Sequence, residues 1–154
     1  MNADEILKKA EKRFNQLKKK YKIKTTFEEL DKIYYLKDKL VERKTLPVDL
    51  LGFIRRVIME FYTGFANHLH GILFPTQNLI LMTESEAFNE QEKDEISKLL
   101  KKIMTLASKN NLLLVTKNRQ EEAKLIDECV SKWKKEFKPQ LEKILNKIYE
   151  KWKH

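Results

Sequence analysis

Two histidines one residue apart, His68 and His70, sit in the stretch Ala-Asn-His-Leu-His-Gly-Ile-Leu-Phe-Pro-Thr-Gln-Asn at 66–78. These thirteen positions also hold one of the three Gly and one of the three Pro of a 154-residue chain. A His pair invites metal chemistry. On a helix, however, residues two apart point about 200° from each other, so one ion cannot join both. Chelation would need an extended segment, or His70 acting with Glu60 or another carboxylate. No HExxH, ExxH or paired-carboxylate motif completes such a site, and no metal is expected. His68 borders an apolar face and is expected to be a hydrogen-bonded core histidine.

Nucleophilic and nucleotide chemistry find equally little material. Cys129 lies between Ile126 and Val130 on the inner side of a helical pattern, where a thiol behaves as a small hydrophobe. A single cysteine excludes an intramolecular disulfide, and with three His it excludes a Cys-rich zinc site. There is no GxSxG, no phosphate-cradling Gly loop and no dinucleotide fingerprint. Glu84, Glu86, Glu90 and Glu92 are read as favourable charge at a helix N-terminus. The expectation is a protein without cofactor that is not an enzyme; a site built from His70, Glu60 and Arg56 ranks last among the alternatives.

Charge is distributed unevenly. The net charge is +9, from 27 Lys and five Arg against 23 acids. Residues 8–24 carry nine basic groups against Glu11 alone, and residues 132–153 carry eight Lys against three Glu, with Trp133, Tyr149 and Trp152 interleaved. Such stretches suit the phosphate backbone, and the candidate nucleic-acid residues are Lys8, Lys12, Lys19, Lys20, Lys134, Lys135 and Lys138. The shortage of Arg and the Lys/Glu abundance equally fit a solvated surface of thermophile-like composition. The Trp positions also fit an inward stripe.

Between Thr45 and Glu92 there is no Lys, and all three Gly fall in this segment. Its net charge is −4, against +6 before it and +7 after it. Projected at 100° per residue, Leu50, Leu51, Ile54, Ile58, Phe61, Phe65, Leu69 and Ile72 share one face. Asp49, Arg56, Glu60, Thr63, Asn67 and His70 share the opposite one. Glycine within a helix costs about 1 kcal/mol relative to Ala, so Gly52, Gly64 and Gly71 suggest close approach by a helix, a partner or a ligand. Asp49, Gly52, Arg56, Glu60, Thr63, Gly64, Asn67 and His70 are therefore the candidate partner surface.

The elements that carry these residues are legible from caps and periodicity. Asn2–Glu5, Thr26–Glu29, Asn89–Glu92 and Asn118–Glu121 have the spacing of capping boxes. Pro47 suits the first turn of a long helix ending near Leu73, and Pro139 the first turn of the last helix. Asn110-Asn111 reads as a helix stop. The runs LILM at 79–82 and LLLVT at 112–116 fit either a turn of helix or a short extended piece. Ala123, Ile126, Val130, Trp133 and Phe137, then Leu141, Ile144, Leu145, Ile148 and Trp152, are expected to face inward. The 23 uncharged residues from Phe61 to Thr83 are long enough to span a bilayer. Their central Asn67, His68, His70, Gln77 and Asn78 argue for buried interior and against a membrane span.

The expected fold is all-α, a single-domain bundle of six to seven amphipathic helices over residues 1–154. The expected role is a cytoplasmic, non-catalytic accessory or adaptor protein whose Lys-rich surface binds nucleic acid or a nucleic-acid-associated complex, with helix 47–73 meeting a protein partner. The alternative is a protein–protein module or homodimer packing through that glycine-containing helix, its basic surface serving solubility or thermostability.

Overall fold

The computed structural model describes all 154 residues, Met1–His154, and contains helices and no strand. Helix α1, Ala3–Tyr21, begins where the Asn2 side chain accepts the Glu5 amide, and ends at Lys22 in the left-handed region. A full capping box between Thr26 and Glu29 opens α2, Phe27–Tyr34. Tyr35 turns left-handed (φ 60°), and the Asp31 carboxylate accepts the Lys37 amide at 2.9 Å, starting α3, Leu36–Arg43.

Helix α4 spans Leu50–Leu73. It starts three residues after Pro47 because Asp49 Oδ1 accepts the Gly52 amide at 3.0 Å. The LILM run is helical: Asn78 caps α5, Leu79–Ser85. The reciprocal Asn89–Glu92 bonds, 2.8 and 3.1 Å, open α6, Glu90–Thr116. It does not stop at Asn110. That side chain is buried in a hydrogen bond, so it does not compete for the backbone, and LLLVT becomes the last turns of α6. Asn118 caps α7, Arg119–Lys132. A π turn at Trp133–Phe137 leads without interruption into α8, Lys138–Lys153. The turn lies just upstream of Pro139, which has no amide to give Lys135, so the wider hydrogen-bonding pattern absorbs the missing donor. Since α7 and α8 run on through it, the eight helices make seven rods. The chain is an all-α helical bundle protein.

By internal packing the residues form two compact units, Met1–Phe61 with Lys109–Val130, and Tyr62–Ser108 with Ser131–His154. In the first, Ile6, Phe14, Leu30, Leu40, Ile54 and Ile126 are fully buried; in the second, Tyr62, Leu69, Ile72, Ile96, Phe137 and Leu141 are. Two residues expected inward on α8 are not: Leu145 is 38% and Trp152 50% exposed. Ile148 between them is buried, so α8 presents a narrower inner face than its apolar residues suggest. No helix is long and apolar enough to cross a membrane.

Candidate functional site

The lysines of α1 form the most continuous charged face. Lys8, Lys12 and Lys19 repeat at four and seven residues, which keeps them on one side of the helix over about 16 Å at 1.5 Å per residue. All three are exposed and none makes an ion pair. Asn15 and Gln16 lie between them and complete a shallow furrow that also includes Glu11. Burial of Ile6, Ala10 and Phe14 on the opposite side fixes which face is presented. Lys20 differs, for its ammonium lies 5.2 Å from the Tyr21 ring centroid. In the second unit Lys134, Lys135 and Lys138 are exposed, and Lys138 lies 4.0 Å from Glu142. Trp133, half-buried, packs on Tyr62 and Phe65, at 6.2 and 5.9 Å between ring centroids, which commits its ring to contacts within the chain.

On α4, Arg56 and Glu60 are exposed in the first unit, and Thr63, Gly64, Asn67 and His70 in the second. The three glycines have three separate settings. A Cβ on Gly52 would lie 2.4 Å from the capping carboxylate of Asp49, and one on Gly71 2.8 Å from the Leu81 side chain. Close approach at both is therefore made by the chain itself. Around Gly64 there is open space. Asp49 is also spoken for, since its Oδ1 accepts from Arg119 Nη1 at 2.9 Å. Burial raises the Asp49 pKa, but the Gly52 amide and Arg119 outweigh it and hold the carboxyl below its usual range.

One deeply buried polar cluster was not singled out by its sequence. Arg55 is 4% exposed and reaches Asn110 Oδ1 at 2.5 Å and Glu122 Oε1, which also accepts from Arg119 at 3.2 Å. One carboxylate thus answers two guanidiniums. Helical projection carried the signal: Arg55 falls in line with Leu51, Ile58 and Tyr62, inside the apolar face of α4.

Glu84 corrects a second expectation. It is not an N-terminal helix charge but the buried acceptor for two donors, His68 Nε2 at 2.7 Å and Trp152 Nε1 at 2.9 Å. An ionised acceptor on Nε2 requires His68 to carry its proton there. His68 is accordingly held in a hydrogen bond, though at 35% side-chain exposure it is not the core residue expected, whereas His70 turns to solvent with its ring tilted against Phe74, 5.1 Å between centroids. No group of three His, Cys, Asp or Glu side chains is arranged to hold a metal ion. Cys129 is fully buried, and burial pushes its thiol up to about 12, where it stays protonated.

Fold and surface together define a helical protein with a polar, lysine-bearing helix face and a buried Arg55–Glu122 ion pair. Beyond that class the chain stands apart: no family model, curated protein or solved structure matches it.

Proposed function

We propose that this is a non-catalytic accessory protein that binds nucleic acid through the phosphate backbone, using the α1 face of Lys8, Lys12 and Lys19. The observation that carries this reading is three exposed lysines in register on one helix side, none paired with a carboxylate. Phosphate contacts of this kind position a protein without reading sequence. Lys20 widens the stripe, and Lys134, Lys135 and Lys138 form a patch of the same chemistry in the second unit. The setting we propose is the cytoplasm, consistent with Cys129 as a buried thiol outside any disulfide.

Fluorescence anisotropy with a labelled 20-base-pair duplex tests the reading. Binding is expected in the range of non-specific complexes, roughly 10⁻⁴–10⁻⁶ M. The Lys8→Glu/Lys12→Glu/Lys19→Glu variant should lose at least tenfold while keeping its helical circular dichroism. No binding at ~50 mM salt, where counterion release still favours association, overturns it.

A second reading, association with a protein partner or a second copy through α4, is favoured by one feature: Gly64 is exposed with nothing within 4 Å. Gly64→Leu then leaves the monomer folded and abolishes association in sedimentation; unchanged sedimentation removes this reading.

A further inference from the structure

Helix α8 carries a second apolar stripe beside its buried one. Leu145, Tyr149 and Trp152 repeat at four and three residues, which puts them on one side of the helix, and all three are exposed. The outer side of α5 adds Leu79 and Ile80, 76% and 60% exposed. The two helices pack together. Glu84 accepts from Trp152 Nε1 and Glu86 meets Lys151 at 3.5 Å, so the first turn of α5 lies on the Trp152 side of α8. With about 200 Å² for a fully open side chain of this size, the five residues leave roughly 600 Å² of apolar surface in water, the upper end for the largest patch on a monomer. Lysines avoid it. Lys143, Lys147 and Lys151 repeat every four residues on the other side of α8. Lys153 flanks the stripe but is answered, its ammonium 3.9 Å from Glu150 and 5.9 Å from the Tyr149 ring centroid.

We propose that this face is a two-fold interface with a second copy of the chain, in which the stripe of Leu145, Tyr149 and Trp152 packs against its own mate, flanked by Leu79 and Ile80. Charge selects the occupant. A copy carrying +9 is repelled by most of this molecule's surface, whereas the patch and its paired rim bring no net charge to the contact. A two-fold contact needs a self-complementary surface, and an apolar stripe supplies one where a field of lysines cannot. An anionic membrane would instead call for unpaired lysines around the apolar residues, and here Lys151 and Lys153 are both matched by glutamates. Size agrees. Two such faces cover roughly 1,200 Å², the lower end of specific interfaces, and Tyr and Trp are the side chains that most often anchor them. The patch belongs to the second unit alone and uses neither the α1 lysines nor Gly64.

Sedimentation equilibrium of the intact protein over a dilution series tests this. A monomer–dimer equilibrium is expected, with a midpoint on the order of 10–100 μM for an interface of this size. Raising salt from ~50 to ~500 mM should tighten it by about twofold or more, because screening removes the repulsion between copies. Nucleic-acid binding moves the other way with salt. Leu79→Glu/Tyr149→Glu, both at exposed positions, should weaken the dimer by about thirtyfold or more with unchanged circular dichroism, and Gly64→Leu should leave it intact. A protein still monomeric at ~1 mM, far above that midpoint, overturns the proposal. So does a dimer that Gly64→Leu abolishes and the double Glu variant keeps, which would move association to α4. Binding of the monomer to vesicles of ~30% phosphatidylserine, with no dimer in solution, would assign the face to a membrane and overturn it equally. The dilution and salt series use the unmodified protein, so the outcome does not depend on a variant folding.

Discussion

Glu84 shows how a single carboxylate can fasten one end of the second unit. Burial raises its pKa, yet the Trp152 and His68 donors outweigh that and leave it below the ordinary glutamate range. A lowered folded-state pKa makes the ionised form the stabilising one. Its contribution is complete above the unfolded value of about 4.3 and is lost as pH falls through the folded one. Glu84→Gln is expected to cost about 1.5–3 kcal/mol at pH 7, the range for a hydrogen bond to a charged group. It should also flatten the loss of stability on acidification below pH ~4.5. Urea titrations of both proteins between pH 7 and 3.5 measure this, and parallel curves would contradict it. Cys129 gives the complementary case of a group that burial silences. With its pKa near 12, only about one thiol in ten thousand is ionised at pH 8. Labelling by a disulfide reagent at that pH should therefore follow global unfolding; a fast native-state reaction would show the thiol to be accessible.

Helix α4 explains both what could be read in advance and what could not. Its apolar face and its end near Leu73 follow from periodicity, and the capping residues of α1, α2, α6 and α7 announced themselves by type and spacing. Features fixed by tertiary partners were not legible. Asn110 looks like a helix stop until Arg55 is seen to occupy its side chain, and the Tyr35 break depends on Asp31 folding back on Lys37. Glu84 gave no sign of its partners, because His68 and Trp152 lie 16 and 68 residues away. The Arg55–Glu122 pair lets the energetic side be tested. Removing one member of a buried pair leaves an unpaired charge and costs about 3–5 kcal/mol, whereas replacing both by apolar groups is often neutral or better. Glu122→Leu alone should accordingly be strongly destabilising, and Arg55→Met/Glu122→Leu should recover most of the loss in denaturant unfolding. Additive losses would mean that the surrounding groups, Asn110 and Arg119, dominate the pair.

The molecule as a whole carries +9, with Lys excluded from residues 45–92. Such a charge attracts any polyanion at long range, so binding alone cannot distinguish a dedicated face from a diffuse cloud. Salt and position together can. Each lysine that replaces a condensed counterion contributes about 0.9 to the slope of log affinity against log salt on duplex DNA. Three contacts from Lys8, Lys12 and Lys19 therefore predict a slope reduced in magnitude by about 2.7 when all three are neutralised to Gln. A matched control exchanges three exposed lysines elsewhere, Lys32, Lys44 and Lys101. Both variants lower the net charge from +9 to +6. If the α1 face makes the contacts, only the first changes the slope, while the second shifts affinity slightly and in parallel at all salt concentrations. Equal changes in the two would assign binding to total charge, and the α1 stripe would then be a solvated helix surface. The comparison holds composition, length and charge constant and varies position alone, which is the one property that the fold adds to the lysine count.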